Sequence, residues 1–166
     1  MKKHCFDTSG ISNPLETMPE DIHESAWTKI KEKISSGEIA VTREIYDEMI
    51  HIVGTVGQCI KDAESELLLE VGEGDWDYNT YTAETVRMQE TYADFIAENT
   101  GRAGTVGLND ISIIALAKTL KLPLVSMEVA VNNDTSRKRR IPDICKIEGV
   151  KHMTFSEYCR AENLKF

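Results

Sequence analysis

No apolar run in this 166-residue sequence approaches the roughly 20 residues needed to cross a bilayer. The opening "MKKHCFDTSG" carries two lysines but no apolar stretch long enough for a signal peptide. The expectation is a cytoplasmic protein that does not partner a membrane. Cys5, Cys59, Cys145 and Cys159 form no C-x-x-C pair, which argues against a zinc knuckle and predicts reduced structural thiols. His4, His23, His51 and His152 share no metal-ligand spacing and are read as local hydrogen-bonding residues. A phosphate loop of the form G-x-x-x-x-G-K-[ST] is missing, so nucleotide hydrolysis of that kind is excluded. A phosphoaspartyl hydrolase would need a second acid two residues after Asp7, where Ser9 stands. Positive charge is also scarce, with 19 Lys and Arg against 28 Asp and Glu, a formal charge of -9. Such a chain repels a polyanion unless a local basic patch or bound cations offset the balance.

Hydrophobic residues make up 41% and charged residues 28%, the composition of an ordinary folded protein. The length suits a single domain over 1–166. A short strand ends at Phe6, with Thr8, Ser9 and Gly10 as the turn leaving it. Pro14 and Pro19 punctuate a loop, and Ile22, Ala26, Trp27, Ile30 and Ile34 recur at helical spacing up to Gly37. "EIAV" reads as a strand, and Thr42 as the cap of a helix "REIYDEMIHIV". Helices follow at "VGQCIKDAESELLLEV", "AETVRMQETYADFIAEN" and "NDISIIALAKTLK", and "GEGDWDYNTY" is a loop between the first two. "LPLVSME" is a buried strand, "PDICKIEG" a helix, "VKHMTF" a strand and "SEYCRAEN" a closing helix. Strands interleaved with helices predict an α/β fold with a mainly parallel sheet covered on both faces.

In an open parallel sheet, functional groups collect beyond the carboxyl ends of the strands. Asp7 and Glu128 follow apolar strands at that edge, Asp110 opens a helix, and Glu48 lies one turn beyond Glu44 on the same helix face. Carboxylates brought together without a counter-charge would take up protons, and a divalent cation removes that conflict. Oxygen donors without His or Cys point to Mg2+ or Mn2+. Each acid also has an ordinary use, as a turn residue, a helix-start residue or part of a solvated face. "DWDYNTY" begins like a calcium loop with Asp75, Asp77 and Asn79. It then places Thr80 where glycine is needed and Val86 where a bidentate glutamate is needed. It is read as an acidic surface loop with Trp76 packing back on the domain.

The stretches "FDTSG", "VTREIYDEMI", "NDISIIALAKTLKLPLVSME" and "IPDICKIEGVKHMTFSEYCRAENLKF" together resemble the PIN-domain nucleases, and in particular a prokaryotic PIN-like branch related to toxin ribonucleases. The resemblance covers both ends and the middle of the chain and is weak from Gly54 to Gly107. It implies a three-layer α/β/α sandwich whose strand-edge acids bind Mg2+ or Mn2+ and cut RNA, often as the toxin of a toxin and antitoxin pair. By position, Asp7 matches the first acid and Ser9 the small hydroxyl residue beside it. Glu48 matches the helix acid, with Glu44 as fallback, and Asp110 matches the third. Glu128 stands where the fourth is usually aspartate, and Ser126 stands where threonine is usual.

The only dense positive charge is "SRKRR", in which Arg137, Lys138, Arg139 and Arg140 follow the segment carrying Glu128. It reads as a phosphate clamp that places RNA over the metal, as a docking site for an acidic partner, or as a solvated loop. Asp143 is a cap or first-turn acid of the next helix. The expected function is a metal-dependent endoribonuclease with an RNA substrate and an antitoxin partner, and a homodimer is compatible with it. The rival is a PIN-like binding protein that acts through its partner without turnover.

Overall fold

A computed structural model describes residues 1–72, 74 and 76–166. Asp75, the first residue of the calcium-loop pattern, lies outside them. The chain forms a three-layer α/β/α sandwich around an all-parallel sheet of β1 (His4–Phe6), β2 (Ile39–Ala40), β3 (Leu124–Val125) and β4 (His152–Met153), in the order β2-β1-β3-β4. Cys5 pairs with Ala40 on one side and Leu124 on the other, so β1 carries both halves. The ladder runs on past the strands, with Asp7 N–H donating to Val125 O at 3.0 Å and Ser126 N–H to Met153 O at 3.1 Å. The connection from β1 goes first to β2 and later to β3 on the opposite side. The crevice between β1 and β3 is therefore the point where strand order reverses.

Helices α1 (Ser9–Thr17), α2 (Glu24–Ser35), α3 (Arg43–Met49), α4 (Gly54–Asp62) and α5 (Glu64–Leu67) precede β3, as do α6 (Tyr78–Thr91), α7 (Ala97–Thr100) and α8 (Leu108–Leu120); α9 (Ile141–Glu148) and α10 (Phe155–Ala161) follow it. Ile111 to Ala117 of α8 are all buried, the pattern of a helix packed on every side. It packs against α3, α6 and α9 and against β1 and β3, while α1 packs on α10 and α2 on α4 and α5. Glu148 of α9 accepts from Lys118 Nζ at 2.7 Å, and also from Arg87 and the Tyr92 hydroxyl. Burial opposes its charge, but these partners win and hold its pKa at about 2.

Several expectations are corrected. Thr8 is a turn residue as expected, but Ser9 and Gly10 already belong to α1, which runs through Pro14 and buries Gly10, Ile11 and Pro14 on one side. Packing of that face outweighs the backbone hydrogen bond that proline lacks. Ile22 does not join the apolar face of α2 and is 72% exposed in the preceding turn. The single helix expected after Gly54 is two, broken at Ala63, and the second stops at Leu67, whose carbonyl is taken by Val41 N–H. The helix expected from Ala83 begins five residues earlier, where Asp77 caps α6 by accepting from Thr80 N–H at 3.0 Å. It ends at Thr91, and α7 is a separate turn. The strand expected through Glu128 keeps only Leu124–Val125, since the chain leaves the sheet to reach the acidic centre.

Gly10 sits where α1 touches the sheet. A Cβ there would meet Val125 O at 2.9 Å and the Phe6 ring at 3.1 Å. Gly10→Ala must push α1 off β3, and the expected loss is about 1–3 kcal/mol of unfolding free energy in a urea melt. A melt like the wild type would show that α1 does not approach the sheet this closely.

Candidate metal centre

Asp7, the residue after β1, is 4% exposed. Its carboxylate accepts from Ser9 Oγ at 2.7 Å and Ser9 N–H at 3.2 Å. The Ser9 hydroxyl also accepts from Met127 N–H at 3.0 Å, so one side chain joins the ends of β1 and β3. Asp110, in the first turn of α8, accepts from Gly107 N–H at 2.8 Å. Glu98 fixes the same helix start by accepting from Leu108 N–H at 3.0 Å, and a Cβ on Gly107 would stand 2.8 Å from its carboxylate. Glu128 accepts from Ile141 N–H, the first residue of α9, at 3.0 Å. Ser126, fully buried, hydrogen-bonds His152 at 2.7 Å and holds the segment that delivers Glu128.

These anchors bring one carboxylate oxygen each from Asp7, Asp110 and Glu128 to within 4.8 Å of one another. Glu48 lies beside the trio, close enough to exchange charge effects with all three, and Asn109 Nδ2 donates to it at 3.4 Å. Glu44 faces elsewhere: it is exposed and lines a different cavity with Trp76 and Tyr81. A spacing of four residues turns a helix about 40° past a full circle, enough to separate long side chains that the sequence puts on one face.

The electrostatics are those of crowded like charges. Burial, and then Glu128, Asp7 and Glu48, push Asp110 up to about 8 despite its bond from Gly107. Burial raises Asp7 above the ordinary carboxylate range, against the hydrogen bonds from Ser9. Burial, with Asp7 and Glu128 adding to it, also raises Glu48, and burial followed by Asp7 raises Glu128. Thr8 Oγ1, on the residue after Asp7, is buried with no hydrogen-bond partner among the described residues. A donor set of carboxylate oxygens alone fits a hard divalent cation, whose charge would restore all of these acids to their ionised forms.

The basic segment divides. Arg139 is committed to its own loop: it donates to the carbonyls of Asn133, Ser136, Lys138 and Asp134 and lies 4.6 Å from the Phe95 ring centroid. Arg137 and Lys138 are exposed. Arg140 donates to Gly104 O at 3.2 Å and is close enough to Glu128 to stabilise its charge. Arg102, distant in sequence, joins them by donating to Arg137 O at 3.2 Å. Asp143 accepts from the backbone N–H groups of Arg140, Val131 and Asn132, and so is a cap. Asn109 and Arg102 carried no sequence signal beyond standing near Asp110 and within a turn.

A family model described as a domain of unknown function (DUF4411) matches residues 4–166. No curated protein matches the chain. The chain belongs to the DUF4411 family.

The raised Asp110 has a consequence for stability. Its unfolded value is 3.8 and its folded value about 8, so between these limits the folded chain binds the extra proton and stability falls as pH rises. In chelator, Asp110→Asn is expected to match the wild type at the acidic end of that window and exceed it in urea melts at the alkaline end. Saturating Mg2+ or Mn2+ should reverse the order, because only the wild type then offers the full ligand set. Wild-type and variant curves that stay parallel across the window would contradict the crowding.

Proposed function

We propose that this member of the DUF4411 family is a metal-dependent nuclease of PIN-like type that hydrolyses RNA phosphodiesters. The observation that carries the reading is the convergence of Asp7, Asp110 and Glu128 at the strand-order switch of a parallel sheet. Buried acids with raised proton affinity, at the place where such sheets bind ligands, are arranged for a function rather than for stability.

Asp7, Asp110 and Glu128 would hold the ion, with Glu48 completing the acidic set. A bound Mg2+ or Mn2+ lowers the pKa of a coordinated water and neutralises charge on the phosphate. Ser9 keeps the Asp7 carboxylate in one orientation through its two hydrogen bonds. Arg137, Lys138, Arg140 and Arg102 supply the positive surface on which a phosphate chain can lie despite the net charge. Arg140, next to Glu128, connects that surface to the acids.

A groove beside the acids would suit a protein partner of the antitoxin kind. A groove lined by Leu15, Pro19, Ile52 and Val53 runs beside Glu48, with Glu16, Glu20 and Asp21 among its walls. Its apolar floor and acidic rim suit a segment with apolar and basic residues.

Purified protein is expected to cleave single-stranded RNA with Mg2+ or Mn2+, to stop in chelator, and to lose all cleavage as Asp7→Asn. An Asp7→Asn protein that cuts like the wild type would remove the acids from the chemistry. Either ion at a hundredfold excess over its dissociation constant should add about 2.7 kcal/mol to stability; a melting point indifferent to both ions would show that the acids hold no ion.

Joint replacement of Arg137, Lys138 and Arg140 by alanine should weaken RNA binding. It should flatten the salt dependence by about one unit of slope per lost phosphate contact, with metal affinity nearly unchanged. Arg139→Ala should instead lower the melting temperature, since it removes the loop's own clamp.

A further inference from the structure

At the N-terminal end of α3, a cavity of about 260 Å3 opens between Val41, Leu68, Leu69 and Leu116 and the rings of Trp76, Tyr78 and Tyr81. Two of the three rings are explained by the fold. Asp77 caps α6, so Trp76 just before the cap and Tyr81 one turn inside it form a hydrophobic staple, their centroids 5.9 Å apart. Tyr78 has no part in the staple. It is 42% exposed, and it stands edge-on to Trp76 at 5.6 Å and tilted to Tyr81 at 6.2 Å.

Two of the donors around this corner, the Trp76 indole and the Arg43 guanidinium, are already committed. The Trp76 indole N–H is already given to Glu70 O at 2.8 Å, which fixes the ring and leaves its face for contact. Arg43 is taken by Glu64 at 2.9 Å and by the Tyr46 ring. Glu44 and Glu70 line the cavity, and neither forms an ion pair among the described residues. Glu44 lies close enough to Tyr81 to help burial raise that hydroxyl's pKa to about 12. The rings touch one another, so they do not leave the three-sided gap that an ammonium cage requires. A flat ring stacked on an outer face, with its donors turned to a carboxylate, fits instead.

We propose that this corner binds a guanine base of the RNA, stacked on Tyr78 with its N1–H and 2-amino group donating to the Glu44 carboxylate. Guanine is the base that presents two donors side by side on its pairing edge, the pattern a carboxylate accepts bidentately. The position suits a nucleotide near the scissile one. Glu44 is one turn from Glu48 on α3, and Thr42, at the cavity wall, hydrogen-bonds Ser112 at 3.0 Å, two residues beyond Asp110. The inference rests on the nuclease reading for its use and gives that site a base preference.

Guanosine, inosine, adenosine and uridine monophosphates are titrated in chelator while tryptophan emission is followed. Trp27 is 1% exposed and its indole N–H is held by Met18 O, so the quenchable signal belongs to Trp76. Saturable quenching by the guanine nucleotide is expected. Trp76→Phe should abolish it, Tyr78→Ala should weaken binding by about tenfold, and Glu44→Gln should erase the preference over inosine, which lacks the 2-amino group. Tyr78 is exposed enough for its variant to fold, and an unchanged melting temperature verifies this. No saturable quenching by any nucleotide, quenching that Tyr78→Ala leaves intact, or displacement by tetramethylammonium would overturn the site. A preference that survives Glu44→Gln would overturn the choice of guanine. Because no acid of the metal centre enters this titration, nucleotide binding without RNA cleavage defeats only the nuclease reading, and cleavage without nucleotide binding defeats only this pocket.

Discussion

The pairing of β1 with two neighbours at once is the constraint on which the rest of the molecule hangs. His4, Cys5 and Phe6 are all buried, and Cys5 is in register with both Ala40 and Leu124. The elements on either side are placed by this three-residue strand, because β2 pairs with one of its edges and β3 with the other. Two hydrogen bonds past the strand ends extend the order outward, and the first of them belongs to Asp7 itself. The acid is thus part of the ladder that defines the fold. Its position follows from backbone pairing, and its buried charge follows from its position.

The other acids are secured by the same economy of means. Each carboxylate of the trio accepts at least one backbone N–H: Ser9 for Asp7, Gly107 for Asp110 and Ile141 for Glu128. Those donors orient the oxygens and offset part of the desolvation, but they do not cancel the repulsion, since all three proton affinities stay raised. The contrast with Glu148 is instructive. That acid is also buried, yet Arg87, Lys118 and Tyr92 hold it ionised. Glu148 has been given two ion pairs, whereas the trio makes none among the described residues and has only the nearby charge of Arg140.

The sequence made some of this legible. Asp7, Asp110 and Glu128 follow from local punctuation, as an apolar strand or a helix start is a short-range signal, and the alternation of strands and helices marked the parallel α/β sandwich. Spacing alone did not separate Glu44 from Glu48, and only the resemblance ranked Glu48 first, because their divergence depends on how α3 is rolled against α8 through the Thr42 and Ser112 bond. Pro14 hid α1, since a proline is a strong local stop and the burial that overrides it is tertiary. The role of Arg139 was equally invisible: four consecutive basic residues look alike until one of them stacks on Phe95. Asn109 and Arg102 matter only through partners far along the chain.

The register of β1 has a consequence in time. Phe6 and Val125, paired side by side, are far apart along the chain, and the donor that orients Glu128 comes from Ile141. A ribosome adds about 5–20 residues each second, and contacts so distant in sequence cannot form before both partners have emerged. The central strand is therefore made long before its pairing with β3 can form. During synthesis Asp7 waits for its ladder partner and its fellow acids, and the centre comes into being only once the segment through Ile141 has left the tunnel. Whatever chemistry this centre performs is withheld from the translation machinery until that segment has emerged.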